Sequence, residues 1–447
     1  MRSSLLLSVA LFFSIVSLKA AEFWEVSQGP PGSVICLASN SRGHIFAGTA
    51  NDALFRSTDY GATWERKYEG LPGMGYDKPV MAIVVGTDDN LYIAQKGNGV
   101  FRSTNNGDTW TDIGSTLPSK EVRSIAIRNR GAGEPRLAIG IDGGSGMTKM
   151  FLTDDRGTTW TEQALPGVQY QGLFEVALSP NSNKMWCSIG YNKGIFRLDP
   201  DGVNFWRRID NPSNTVEPGE SDDNFRVIRF DHQGNMFLGR NALATSSKIQ
   251  NAVVMMSTDD GESWKYLKGG DWKQEYVINC HITGIAFGKP GEIVATTDKS
   301  GTYYSNDNGD TWIVRNEGLP GDGSCAAAVG TVGNHFYVAP YGDFIHHHLD
   351  PSTSVNETIP GVVRVENASP NPAADRFSIP MTLDRPMDVT VRLVNANGME
   401  VVEPFTSALG AGTHRVSFST AGLASGMYSY RMQVGGLVRT GSVAVVR

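Results

Sequence analysis

Four carboxylates crowd one polar stretch: Glu217, Glu220, Asp222 and Asp223. Two carboxyl groups held roughly 5–10 Å apart are the equipment of glycoside hydrolysis. Asp222 and Asp223, with Glu175 further back in the chain, are therefore the candidate acid/base residues. They qualify by proximity only, and a solvated acidic loop is the competing account. A second constellation is Arg123, Glu175 and Arg226, which fall near a common centre when the apolar strands of the chain are aligned. Two guanidiniums can grip a carboxylate or sulfate through paired N–H groups; an ion pair between Glu175 and one arginine is the structural alternative. Trp272, Tyr276 and Tyr76 complete the candidate ligand-binding set. The triplet His346-His347-His348 alternates faces within a strand and does not present three metal ligands. Asp142-Gly143-Gly144-Ser145-Gly146 lacks the helix a phosphate cradle needs. No metal or cofactor is implied.

The elements that must position these groups are announced by an octet. Ser57-Thr58-Asp59-Tyr60-Gly61-Ala62-Thr63-Trp64 has counterparts ending at Trp110, Trp160, Trp264 and Trp312. The frame is Ser/Thr-x-Asp/Asn-x-Gly-x-Thr/Ser-Trp, and its spacing marks an internal repeat. Each copy follows a short apolar run such as Ala53-Leu54-Phe55-Arg56. The Asp or Asn can accept N–H groups two or three residues on, and the glycine supplies a positive φ. The tryptophan opens the next strand as an apolar anchor. Asp59, Asn105, Asp155, Asp259 and Asp307 are thus turn residues, paired with Trp64, Trp110, Trp160, Trp264 and Trp312. They are not a row of catalytic acids, because each is needed by its own turn.

A full repeat reads as four short strands, for example Ser33–Ala38, His44–Gly48, Ala53–Arg56 and Trp64–Arg66. Seven such units are expected, the fourth with its octet degraded around Asp199-Pro200-Asp201-Gly202. The seventh has three strands of its own. Its outer strand is expected from Phe23-Trp24-Glu25-Val26, which precedes Gly29-Pro30-Pro31-Gly32 as Trp64 precedes Gly70-Leu71-Pro72-Gly73. Four-stranded units of this length are blades of a β-propeller, and closing the ring through the N-terminal strand removes an exposed edge.

On these octets, residues 22–350 resemble the Asp-box, or BNR-repeat, propellers, which include sialidases, xyloglucan-degrading glucanases, sortilin-type receptors and a photosystem II assembly factor. The motif speaks for the fold and little for the function. The resemblance implies octet turns on one face and ligands on the other, where the loops into and within the fifth and sixth units are longest. It does not carry sialidase residues across: no Arg-Ile-Pro-like stretch occurs in the first unit, and Glu134-Pro135-Arg136 has the wrong order and place. Xyloglucan hydrolases need two propellers, and this chain has one.

Forty per cent hydrophobic content over 447 residues supports two or more domains, and 51 glycines with 19% charged residues favour strands joined by tight turns over helices. A formal charge of −7 without a basic run offers nucleic acid no partner surface. Residues 1–21, with Arg2, the Leu5–Phe13 apolar run and Ala20-Ala21, read as a secretory signal. Of four cysteines, Cys36 and Cys325 fall on the first and last inner strands, so a bridge between ring neighbours and buried free thiols both stand open.

Residues 351–363 read as a linker and 364–447 as a small Ig-like β-sandwich, with Asp388–Val394 alternating at period two before the Asn397-Gly398 turn. Pro370-Asn371-Pro372, Gly412-Thr413-His414, Gly426-Met427-Tyr428 and the basic terminus are similar to the type A C-terminal sorting domain of the type IX secretion system. That resemblance implies export through the periplasm to the surface of a Bacteroidota-like bacterium, with the secretion machinery as partner. The chain is accordingly expected to be all-β, a seven-bladed propeller plus sandwich. The expected function is that of a secreted, non-catalytic binder of glycan or protein, the alternative being a glycoside hydrolase or lyase acting on polysaccharide.

Overall fold

The computed structural model describes residues 23–27, 29–30, 33–50, 54–72, 79–131, 133–142, 148–164, 172–190, 194–199, 205–209, 225–241, 243–244, 249–250, 252–272, 280–320, 326–341, 344–348, 363–365, 368–383, 386–395, 401–434 and 437–446. These residues form no helix. Up to residue 348 they contain seven four-stranded antiparallel sheets. Their inner strands are Val34–Ser39, Val80–Val85, Val122–Arg130, Leu173–Leu178, Phe225–Phe230, Ile282–Phe287 and Ala326–Val332. We number the sheets 1 to 7 in that order. Each inner strand packs on those of its neighbours, and Val34–Ser39 packs on Ala326–Val332, so the ring closes.

Burial explains the strand pattern. Five of the seven second strands, among them Ile45–Thr49, Leu91–Gln95 and Ile293–Thr297, are buried at every position. A neighbouring sheet covers both of their faces, so the apolar run is continuous rather than alternating. The sheets approach so closely that a glycine is required at the contact. A Cβ at Gly140 would lie 1.8 Å from Leu173 Cδ2 of the next sheet, and one at Gly48 would lie 2.9 Å from the Val80 carbonyl oxygen of the next sheet.

Glu25–Val26 completes sheet 7, with Glu25 opposite His347 and Val26 opposite His346. Trp24, fully buried, fastens this strand to sheet 6 by donating its indole N–H to the Arg315 carbonyl at 2.7 Å. Phe23 stacks on His348 with ring centroids 3.7 Å apart. Sheet 4 keeps four strands without an octet; residues 200–204, where the degraded turn was expected, lie outside the described residues.

Beyond residue 363 two sheets face one another, one of three strands and one of four, the latter ordered Phe405–Leu409, Met387–Val394, Gly426–Val434 and Leu437–Val445. Alternation places Val389, Val391 and Leu393 inward, fully buried, against Phe377, Ile379 and Met381. The expected Asn397-Gly398 turn, most of the 351–363 linker and the 1–21 signal lie outside the described residues.

Candidate functional site

Every inner strand carries one extra residue at the same place. The register against the second strand slips after Val34, Val80, Val122, Leu173, Phe225, Ile282 and Ala326. The seven bulged positions are Ile35, Met81, Arg123, Phe174, Arg226, Thr283 and Ala327. A bulge bends its strand and re-aims the side chain it carries. Repeated around a ring, it sets one residue per sheet at the end of the inner strand where the chain enters. Arg123 and Arg226 are therefore structurally equivalent, with Phe174 between them on sheet 4.

The three differ in their partners. Arg123 Nε lies 2.9 Å from Asp142 Oδ2, at the end of the second strand of its own sheet. Arg226 is exposed, its guanidinium carbon 5.9 Å from the Phe174 ring centroid, and it forms no ion pair among the described residues. Near it, His281 N–H donates to Asp298 Oδ1 at 2.7 Å. Burial lowers the His281 pKa, the Arg226 charge adds to that, and Asp298 opposes it.

Below the bulge, side chains stitch one inner strand to the next. Cys36 Sγ donates to the Val80 carbonyl at 3.2 Å, and Ser124 Oγ accepts the Val176 N–H at 3.1 Å. Glu175 stands at the equivalent place in sheet 4. Its Oε2 accepts the Ile228 N–H at 2.7 Å, and its Oε1 pairs with Arg229 Nη1. Glu175 thus pairs with Arg229, not with Arg123 or Arg226, the two arginines grouped with it in the sequence. Arg229 escaped the sequence argument because its register depends on the bulge at Arg226.

The inner strands enclose a cavity of about 450 Å³ touched by all seven of them. Its lining mixes apolar side chains with polar groups, the charged ones being Arg123, Glu175, Arg229 and Asp231. Cys36 in this wall is a free thiol, its pKa pushed up to about 12 by desolvation; Cys325 lies outside the described residues.

The five octets share one geometry. Ser57 Oγ accepts the Gly61 N–H at 2.8 Å and donates to Asp59 Oδ1 at 2.7 Å. The same Oδ1 accepts the Thr63 N–H at 2.9 Å. The span is four residues, longer than the two or three expected, because two consecutive residues turn left-handed. Tyr60, Asn106, Arg156, Asp260 and Asn308 have φ of 55–59°, and the following glycines 81–92°. At Asp155, bonds from the Thr153 and Thr159 hydroxyls and the Thr159 N–H hold the carboxyl at about 2. The octet also latches sheets together: Arg56 donates to the Asn106 carbonyl at 2.8 Å and Lys67 pairs with Asp108 at 2.7 Å. Arg197 likewise grips Glu262 at 2.6 Å.

Trp272 requires a correction. It is 6% exposed, with its indole N–H on the Ala252 carbonyl at 3.1 Å and its ring against Tyr303 and Trp312. It is a core residue between sheets 5 and 6 and presents no face to a ligand. Asp222, Asp223, Glu217, Glu220, Tyr76 and Tyr276 lie outside the described residues.

The second domain decides one matter. Residues 367–445 match the secretion system C-terminal sorting domain. This sorting domain marks the chain for type IX export to the cell surface or beyond and implies contact with the secretion machinery. No helix among the described residues is long and apolar enough to cross a membrane. No curated protein matches the chain. Among solved structures, YCF48 bound to D1 peptide aligns at TM-score 0.55 and 15% identity, over 74% of this chain and 98% of that one. PorZ, a surface component of the type IX system of Porphyromonas gingivalis, aligns at TM-score 0.55 and 15% identity, over 94% of this chain and 60% of its own. The GH74 enzyme of Niastella koreensis aligns at 0.52 and 14%, over 95% and 75%. These are β-propeller neighbours, and at such identities they speak for the fold alone.

Proposed function

We propose that residues 22–350 form a seven-bladed Asp-box propeller, exported by way of a 1–21 signal and the Ig-like 364–447 domain, that binds an extracellular glycan or protein without catalysis. The closed contact ring and seven equivalent bulges support the blade count. The observation that carries the binding reading is the division of labour among charged groups. The carboxylates of the octets are consumed by their own turns, and Glu175 is consumed by Ile228 and Arg229. Arg226 instead stands exposed at the entry rim, with Phe174 beneath it. Recognition needs such groups, whereas hydrolysis needs two free carboxyls at a set separation. The surface placement of PorZ accords with a surface role here. A glycan array alongside a polysaccharide-degradation screen of the exported protein tests the reading. Saturable binding without release of reducing ends is expected. Release of reducing ends that Asp222→Asn or Asp223→Asn abolishes would replace it with a glycoside hydrolase.

A further inference from the structure

The second domain has two outer sheet faces, and sheet 1 stands against one of them. Asp59 and Thr63 of the first octet line a cleft of about 540 Å³ together with Met387, Asp388, Thr390 and Gln433 of the four-stranded sheet. Trp64 and Met387, both part-buried, pack on one apolar cluster that runs from Tyr60 and Tyr337 to Val389 and Met432. At this place the outer face of the four-stranded sheet is taken up by the chain itself.

The three-stranded sheet has the opposite character. Its strands Val363–Val365, Arg376–Leu383 and Gly412–Ser419 contain no aspartate or glutamate. Alternation turns Phe377, Ile379, Val416 and Phe418 inward and leaves Arg376 and Arg415 exposed on the outer side. Neither guanidinium forms an ion pair among the described residues. Around them the register sets Ser419 opposite Arg376, Ser417 opposite Ser378 and Thr413 opposite Thr382, so hydroxyls fill the same face. Arginines that only guard a sheet against stray pairing belong on edge strands, whereas Arg376 opens the central strand. Arg415 stands opposite Pro380, four residues on from Arg376, which separates the two by roughly 14 Å along the strand. One small anion does not reach both; an extended surface bearing several carboxylates does.

We propose that the type IX secretion machinery takes this chain by the outer face of the three-stranded sheet, through an acidic surface that meets Arg376 and Arg415. The proposal rests on export by the second domain and adds the face and the charge of the contact. Each guanidinium takes a carboxylate through paired N–H groups, and the serine and threonine hydroxyls between them donate to others. Because the other sheet stays on the first octet, the machinery engages the domain without separating it from sheet 1.

Surface display of the full chain in its own bacterium, measured by fractionation and surface proteolysis, tests it. Arg376→Glu combined with Arg415→Glu should lower display at least about tenfold and hold the chain in the periplasm, since like charges facing across a contact repel. The milder pair Arg376→Gln and Arg415→Gln should lower it about threefold or more, and keeps the test open if the glutamate pair fails to fold. Thr390→Glu combined with Gln433→Glu, which adds acid to the octet-facing sheet, should leave display within about twofold of the parent. Thermal unfolding of the purified chains verifies that each variant is folded. Normal display of the folded glutamate or glutamine pair overturns the proposal, as does loss of display from the octet-facing pair alone. If deletion of residues 364–447 blocks display while the folded glutamate pair does not, export by the domain stands and only the assigned face is lost.

Discussion

Glu175 on the fourth inner strand holds the backbone N–H of Ile228 on the fifth at 2.7 Å, and with its other oxygen it pairs with Arg229. One side chain thus closes a gap between sheets that no backbone ladder spans. Glu175→Ala should leave a backbone donor and a guanidinium unpartnered and cost about 2 kcal/mol, discounted because Arg229 is part-exposed. Glu175→Gln, which keeps the acceptor, should cost less than half as much. Urea midpoints measure both, and equal losses would show that the N–H contact contributes nothing.

The octet acids should tolerate loss of charge but not loss of shape. Asn105 already makes the bonds that aspartate makes elsewhere, accepting the Thr109 N–H at 3.0 Å and donating to Thr109 Oγ1 at 2.9 Å. Asp259→Asn should therefore change stability by less than about 0.5 kcal/mol, and Asp259→Ala should lower it by about 1–2 kcal/mol. Any ligand-binding change in Asp259→Asn beyond its stability change would assign the octet a role outside its turn.

Acid should loosen the seam of the ring. Burial, reinforced by the neighbouring His335, His346 and His348, lowers the His347 pKa to about 4 from its ordinary 6.5. Tyr337 packs against its ring and Glu25 stands opposite on the closing strand. With the folded value below the unfolded one, the unfolded chain takes up the proton first. Stability is intact above about pH 6.5, falls as pH drops towards 4, and changes no further from this group below that. The full loss is about 3 kcal/mol. Chemical denaturation at pH 7.5 and 4.5 should show a smaller pH effect in His347→Gln than in the parent, and identical slopes would sink the assignment.

Export is testable through the second domain. Deletion of residues 364–447 should leave the remaining chain in the periplasm, detected by fractionation and surface proteolysis. Normal surface display of the truncated chain would detach sorting from residues 367–445.

Features built from local chemistry were legible in the sequence. The octet turns depend on five or so neighbouring residues, so Asp59, Gly61 and Trp64 announce their own geometry. The closing strand was legible for the same reason, since Trp24 repeats the context of Trp64 and Trp312. What escaped depends on contacts between sheets. Trp272 looks like a loop aromatic until sheet 6 covers it, and the partner of Glu175 changes with a one-residue bulge. Aligning the apolar strands set Arg123 and Arg226 near one centre, yet their equivalence as bulged residues rests on register slips that leave no mark in composition or period.

The pairing of Glu25–Val26 with His346–His348 has a kinetic consequence. His348 contacts the Phe23 carbonyl across 325 positions of chain. Contacts of such separation are slow to form, because the loop entropy must be lost before they return anything. The expected order of folding therefore has the ring sealing last at sheet 7. Until it does, Trp24 and the third strand of that sheet remain uncovered. Substitutions at Trp24 should thus act chiefly on the rate of sealing and on the yield of folded protein, leaving the sheets already formed intact.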